Sequence, residues 1–152
     1  MPSERNLRIA AFILALGGIG VATYIAIAES GGGAPKCLAG GGGCETVAHS
    51  QYSHLAGINV AVIGILGYVV LLLAALVPGD RGRFGGFLGA LIGFGFSLYL
   101  TYLELFVIDA ICQWCVASAV LMALSLAVAA TRAFAYAGRE LSAPQIQSSH
   151  GR

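Results

Sequence analysis

The fold class predicted here is an all-α integral membrane protein, a four-transmembrane-helix bundle with a glycine-rich loop on its extracytoplasmic side. Three observations predict it. Of the 152 residues, 58% are hydrophobic and only 10% charged, whereas a soluble domain carries about 25% charge. Four runs of 20 to 24 residues contain no charged side chain: Ile9–Ala28, Leu55–Pro78, Phe84–Leu103 and Ala110–Thr131. About 20 helical residues cross a bilayer core of about 30 Å. Finally, seven of the eight Lys and Arg residues lie before the first run, between the second and third, or after the fourth. Backbone groups in lipid must bond within their own segment, so such runs become helices. Barrel strands would be about 9–11 residues long with alternating polarity, and these runs do not alternate.

The first helix is expected over residues 8–29. Arg5 and Arg8 precede it, and the apolar stretch exceeds the about 7–15 residues of a cleaved signal core. An outer loop, 30–55, follows. Seven of its glycines fall within the thirteen residues from Gly31 to Gly43, which gives that backbone unusual freedom. Within it, Glu45–Leu55 is a candidate short helix at the membrane interface. The second helix is expected over 56–78, ended by Pro78-Gly79. The third, 84–105, carries Gly85, Gly89 and Gly93. Small residues at this spacing let membrane helices approach closely. The fourth is expected over 111–135, with Asp109 as its N-cap and Cys112 in its first turn. Residues 1–137 form one domain, and 138–152 a disordered cytoplasmic tail.

Arg5, Arg8, Arg81, Arg83, Arg132, Arg139 and Arg152 share one side, and Lys36 stands alone on the other. The positive-inside rule therefore makes both termini cytoplasmic. All four cysteines then lie on or beside the outer face, the compartment where disulfides persist. No Asp, Glu, Lys, Arg or His interrupts the four runs, which argues against an ion or proton transporter.

The cysteines form two pairs. Cys112-Gln113-Trp114-Cys115 is a C-x-x-C whose sulfurs share one helix face. A helix start favours the thiolate there, an ionised Asp109 nearby opposes it, and the thiolate is the species that attacks disulfides. Cys37 and Cys44 stand on the glycine tether with six residues between them. Two dithiols within reach suggest a relay, one accepting electrons from outside and the other delivering them into the membrane. Two alternatives stand beside it: a pair of static disulfides in a membrane adaptor, and a zinc site with four cysteine ligands.

These residues resemble the vitamin K epoxide reductase family over nearly the whole chain. The resemblance rests on Cys37/Cys44, on Ser50 six residues after Cys44, on the aromatic Tyr52, on Gly57-Ile58-Asn59-Val60-Ala61 and Gly64-Ile65-Leu66-Gly67-Tyr68, and on Cys112/Cys115 opening the last helix. The order matters: the other membrane disulfide-generating family places C-x-x-C in its first outer loop. The resemblance implies a membrane thiol:quinone oxidoreductase supporting disulfide formation. Cys37 and Cys44 would be its shuttle pair and Cys112 and Cys115 its active-site pair, linked through a Cys44–Cys112 mixed disulfide. Cys115 would face the quinone, and Ser50 would donate to a quinone oxygen, where reduction places negative charge.

It further implies ubiquinone or menaquinone as acceptor, no metal, and a bacterial plasma (inner) membrane location. Expected partners are membrane lipid, the quinone pool and a separate thioredoxin-fold oxidase, with no nucleic acid. Many relatives carry that thioredoxin-like domain fused, whereas this chain stops soon after Arg132. Tyr52, Phe96 and Trp114, with Tyr99 and Phe106 behind them, are the expected quinone-pocket aromatics. Glu104 is a candidate proton relay or a headgroup-level side chain. Ala119 stands where animal enzymes have a tyrosine, and Asn59 sits at a helix start instead of within the helix. Both departures point away from vitamin K epoxide as natural substrate.

Overall fold

A computed structural model describes residues 2–142. Its elements run in order: α1 (Glu4–Ser30), α2 (Gly43–Ala48), a 3-10 turn (Gln51–Ser53), β1 (His54–Leu55), β2 (Ile58–Asn59), α3 (Val60–Leu76), α4 (Asp80–Phe106) and α5 (Gln113–Ser142). Three helices, α1, α4 and α5 as far as Ala135, are long and apolar enough to cross a membrane. The fourth, α3, is equally apolar but has 17 residues. The arrangement is that of a membrane helical bundle. The four long helices form a ring in which α1 packs on α3 and α5, and α4 packs on the same two.

The boundaries differ from the expected ones for local reasons. Ser3 accepts the Asn6 amide and starts α1 four residues early, with Glu4 favourably placed in the first turn. The second helix starts at Val60, not 56. Ala56 and Gly57 both take positive φ (53° and 83°), the pattern of a primed two-residue turn. They close a hairpin pairing His54 with Asn59 and Leu55 with Ile58. Asn59 then caps α3 by accepting the Ala61 amide. The candidate helix over Glu45–Leu55 is likewise replaced by α2, the 3-10 turn and β1. At the other end, helix α5 runs through Ser142, so residues 138–142 of the expected disordered tail are helical. The alanine-rich stretch before them has the highest intrinsic helix propensity. Residues 143–152 lie outside the described part.

The bundle closes on small residues and one large ring. Tyr68 of α3 is 1% exposed and gives its hydroxyl proton to the Ser118 carbonyl of α5 at 2.7 Å. From α1, Gly18 approaches the same ring so closely that a Cβ there would lie 2.1 Å from it. On α4, Gly89 packs on Leu71 and Gly93 on Met122, so this glycine stripe serves packing inside the bundle. Gly18→Ala should destabilise the fold by about 1–3 kcal/mol, because the ring is enclosed and tied to Ser118 and cannot easily give way. A lowered thermal midpoint in detergent would report it, and an unchanged midpoint would contradict this packing.

The bundle end away from the cysteines is held by charge. Arg132 is 4% exposed and pairs with Glu4 at 3.3 Å, and Arg83 reaches the same carboxylate. Arg8 donates to the Ala75 and Leu76 carbonyls, satisfying the exposed end of α3.

Candidate functional site

At the opposite end, the chain leaving α4 must reverse within six residues to begin α5. Asp109 makes this possible by adopting a left-handed conformation (φ 53°), one that Asp tolerates better than most residues. It is therefore a turn residue and not the expected N-cap. The cap is Cys112 itself, whose carbonyl accepts the first helical bond, from Val116. Its sulfur accepts hydrogen bonds from the Trp114 and Cys115 amides, as an N-cap side chain does.

Cys112 is 2% exposed, and its own amide donates to Glu104 Oε2 at 3.1 Å. Glu104 is 5% exposed, at the inner side of the end of α4, and also hydrogen-bonds the Cys115 thiol. The Cys112 thiol is held below its ordinary value, at about 7, chiefly by the hydrogen bond from Cys115 and then by the two amides. Burial and the Glu104 charge oppose this. The downward shift favours the thiolate, the reactive form.

Cys37 and Cys44 are joined in a disulfide with a Cα separation of 5.9 Å, and Cys112 and Cys115 are free thiols. Cys44 lies in the first turn of α2 and is 2% exposed, whereas Cys37 is half-buried. Helix α2 meets the start of α5 at one very close approach. A Cβ on Gly43 would lie 2.3 Å from the Ile111 carbonyl oxygen, so only glycine fits beside Cys44 at this contact. The neighbour of one reactive cysteine thus touches the neighbour of the other. Among the described residues no three His, Cys, Asp or Glu side chains converge to hold a metal. The closed outer pair also lacks the thiolates that a four-cysteine zinc site needs.

Below the cysteines lies an apolar cavity of about 440 Å³ between the helices, within the range of small-molecule sites. Cys115, Glu104, Ser50, Tyr52 and Phe96 all line it, as does Glu29 at the end of α1. Cys115 is the one cysteine among its lining residues. Three of the expected aromatics lie elsewhere. Trp114 packs on Tyr24 at 4.7 Å and donates its indole N–H to the Lys36 carbonyl, which turns it toward the loop. Tyr99 and Phe106 are 47% and 69% exposed on the outside of α4. Phe96 lines the cavity while Tyr99 and Phe106 of the same helix are exposed outside it, and residue type alone does not separate them. Ser50 lines the cavity, but its proton goes to the Val47 carbonyl at 2.7 Å. Donation to a ligand therefore requires a change of rotamer.

Gly43, Gln113, Tyr24 and Glu29 escaped the sequence reading. One glycine among six others in the loop carries no signal of contact, and the two residues between C-x-x-C cysteines read as spacers. Glu29 reads as the polar end of a membrane helix, yet it accepts a hydrogen bond from Asn59 and faces the cavity.

Two cysteine pairs at one end of a membrane bundle, the inner one opening on an apolar cavity, agree with the comparison to known families. The model of the vitamin K epoxide reductase family matches residues 9–130, most of the chain. Helices able to span a membrane, a disulfide and two neighbouring thiols fit an oxidoreductase of that kind. By this match and this geometry, the chain belongs to the vitamin K epoxide reductase family.

Proposed function

We propose that the protein is a membrane thiol:quinone oxidoreductase that sustains disulfide formation outside the cytoplasm of a bacterial cell. In this reading α1, α3, α4 and α5 each cross the plasma membrane, and both termini are cytoplasmic. The four cysteines are then extracytoplasmic. The observation that carries the reading is the position of the inner pair. Cys112 is buried beside the contact that seats Cys44, and Cys115 lines the apolar cavity.

Electrons enter when a dithiol of a thioredoxin-fold partner attacks Cys37, the more exposed outer sulfur, and the Cys37–Cys44 bond breaks. The partner leaves as a disulfide and both outer cysteines are reduced. Cys44 thiolate then attacks Cys112 of a Cys112–Cys115 disulfide, expelling Cys115. Cys37 attacks Cys44 in turn and expels Cys112. The result, outer pair closed and inner pair reduced, is the arrangement of sulfurs described above. Re-forming the Cys112–Cys115 disulfide passes two electrons and two protons to a quinone in the cavity, ubiquinone or menaquinone, giving the quinol. Glu104, bonded to both inner residues, handles protons here. Phe96 and Tyr52 flank the ring, and Ser50 turns to meet a carbonyl oxygen as negative charge develops. A plain quinone fits Ala119 and the helix-start position of Asn59 better than an epoxide does.

The direct test is quinone reduction by the purified protein with a reduced thioredoxin-fold donor. Cys37→Ala should trap a Cys44–Cys112 mixed disulfide, visible on a non-reducing gel and lost on further replacement of Cys112. The competing reading, a membrane adaptor with static disulfides, expects no trapped species and no quinol.

A further inference from the structure

The two residues between the inner cysteines grip the outer loop. Gln113 Oε1 accepts the amides of Leu38 and Ala39, at 3.1 and 3.3 Å. Trp114 Nε1 donates to the Lys36 carbonyl at 2.9 Å. Tyr24 completes the grip: its ring packs on Trp114 at 4.7 Å and its hydroxyl accepts the Lys36 amide at 3.2 Å. Four polar contacts thus fix the backbone on both sides of Cys37. None of them touches a sulfur. The segment they fix is otherwise tethered by glycines, with Gly32, Gly40 and Gly41 at positive φ. Left to itself, such a tether spreads Cys37 over many positions.

We propose that Gln113, Trp114 and Tyr24 form a latch that holds Cys37 against Cys44 and so sets the stability of the outer disulfide. Resting on the relay described above, the latch assigns positioning roles to residues within and beyond the C-x-x-C motif. Holding one thiol beside its partner raises its effective concentration. In the relay this favours the step in which Cys37 attacks Cys44, the Cys44–Cys112 bond breaks, and Cys112 leaves as thiolate. By linkage, what the latch adds to the closed disulfide, the closed disulfide adds to the latch. Opening the outer pair therefore loosens Trp114, the only tryptophan in the chain.

The test needs neither quinone nor partner. In full-length protein carrying Cys112→Ser and Cys115→Ser, the outer pair is titrated in detergent or nanodiscs with a glutathione redox buffer. Trp114 emission should change as the pair opens, and should not respond once Cys37→Ser and Cys44→Ser are added. Gln113→Leu in the same background should lower the equilibrium constant for disulfide closure about tenfold, a shift of about 30 mV toward easier reduction. Trp114→Phe keeps the ring on Tyr24 but loses the N–H, and should shift the same way by less. With the inner cysteines restored, Gln113→Leu should accumulate the Cys44–Cys112 mixed disulfide during turnover. Emission indifferent to opening, or a Gln113→Leu equilibrium within twofold of its parent, overturns the latch. The relay fails separately, if the unaltered protein yields no quinol.

Discussion

Replacing Cys115 with serine should cut quinone reduction at least about a thousandfold while leaving the Cys37–Cys44 disulfide in place. The reasoning is positional. Cys115 lines the cavity and Cys112 does not, which in the proposed relay makes Cys115 the last sulfur before the acceptor. A serine hydroxyl is nearly the same size and can still hydrogen-bond Glu104 and Cys112, so the bundle should persist. It cannot form the second half of a disulfide, so the two-electron step has no product on the protein side. Anaerobic quinol formation from a reduced donor measures the effect. A rate within tenfold of the unaltered protein would mean that electrons leave by another group. The outer pair, reporting through Cys37 and Cys44, should still accept electrons from the partner.

Glu104→Gln carries the second large effect, a loss of about a hundredfold in turnover with little change in the KM for quinone. Glutamine keeps an oxygen to accept the Cys112 amide, now 3.1 Å from Glu104 Oε2, but it can neither hold nor release a proton. The sign at Cys112 runs the other way. The Glu104 charge disfavours a neighbouring thiolate, so its removal should move the Cys112 thiol further down from about 7. The pH profile of Cys112 alkylation should shift to lower pH while turnover falls. A more reactive thiolate beside a slower enzyme separates proton handling from nucleophile activation. If turnover survives, Glu104 serves only as a seat for the Cys112 amide. Glu104→Leu should then be the damaging change, because it strands a buried N–H at a cost of about 1–3 kcal/mol.

The helical bundle was legible because lipid leaves few choices: uncharged runs of 20 residues or more must become helices. What escaped was set by single torsions and by facing. The start of α3 depended on Ala56 and Gly57 both turning to positive φ, and alanine gives no warning of that. Asp109 looked like a cap because capping and left-handed turns favour the same residue types. The division of the four cysteines into an outer and an inner pair came from their spacing, and the structure joins Cys37 to Cys44. Trp114 was misplaced toward the cavity because its facing depends on where α5 begins, and Cys112 itself took the cap position. Glu104 was noticed, but only the fold shows that its oxygen receives the Cys112 amide.

Seventeen residues of α3 rise only about 25 Å, less than the hydrocarbon thickness of an ordinary bilayer. Its neighbours α1 and α4, of 27 residues each, are longer than they need to be. With α3 crossing as proposed, this mismatch would bring the His54–Asn59 hairpin to the headgroup boundary, where Leu55 and Ile58, each about half exposed, would meet lipid. A leaflet fitted to so short a crossing helix would thin beside α3, on the flank where Val60, Ile63 and Gly64 border the cavity. A long-tailed hydrophobic molecule diffusing in that leaflet would meet its shortest sideways path to Cys115 there, without first surfacing into water.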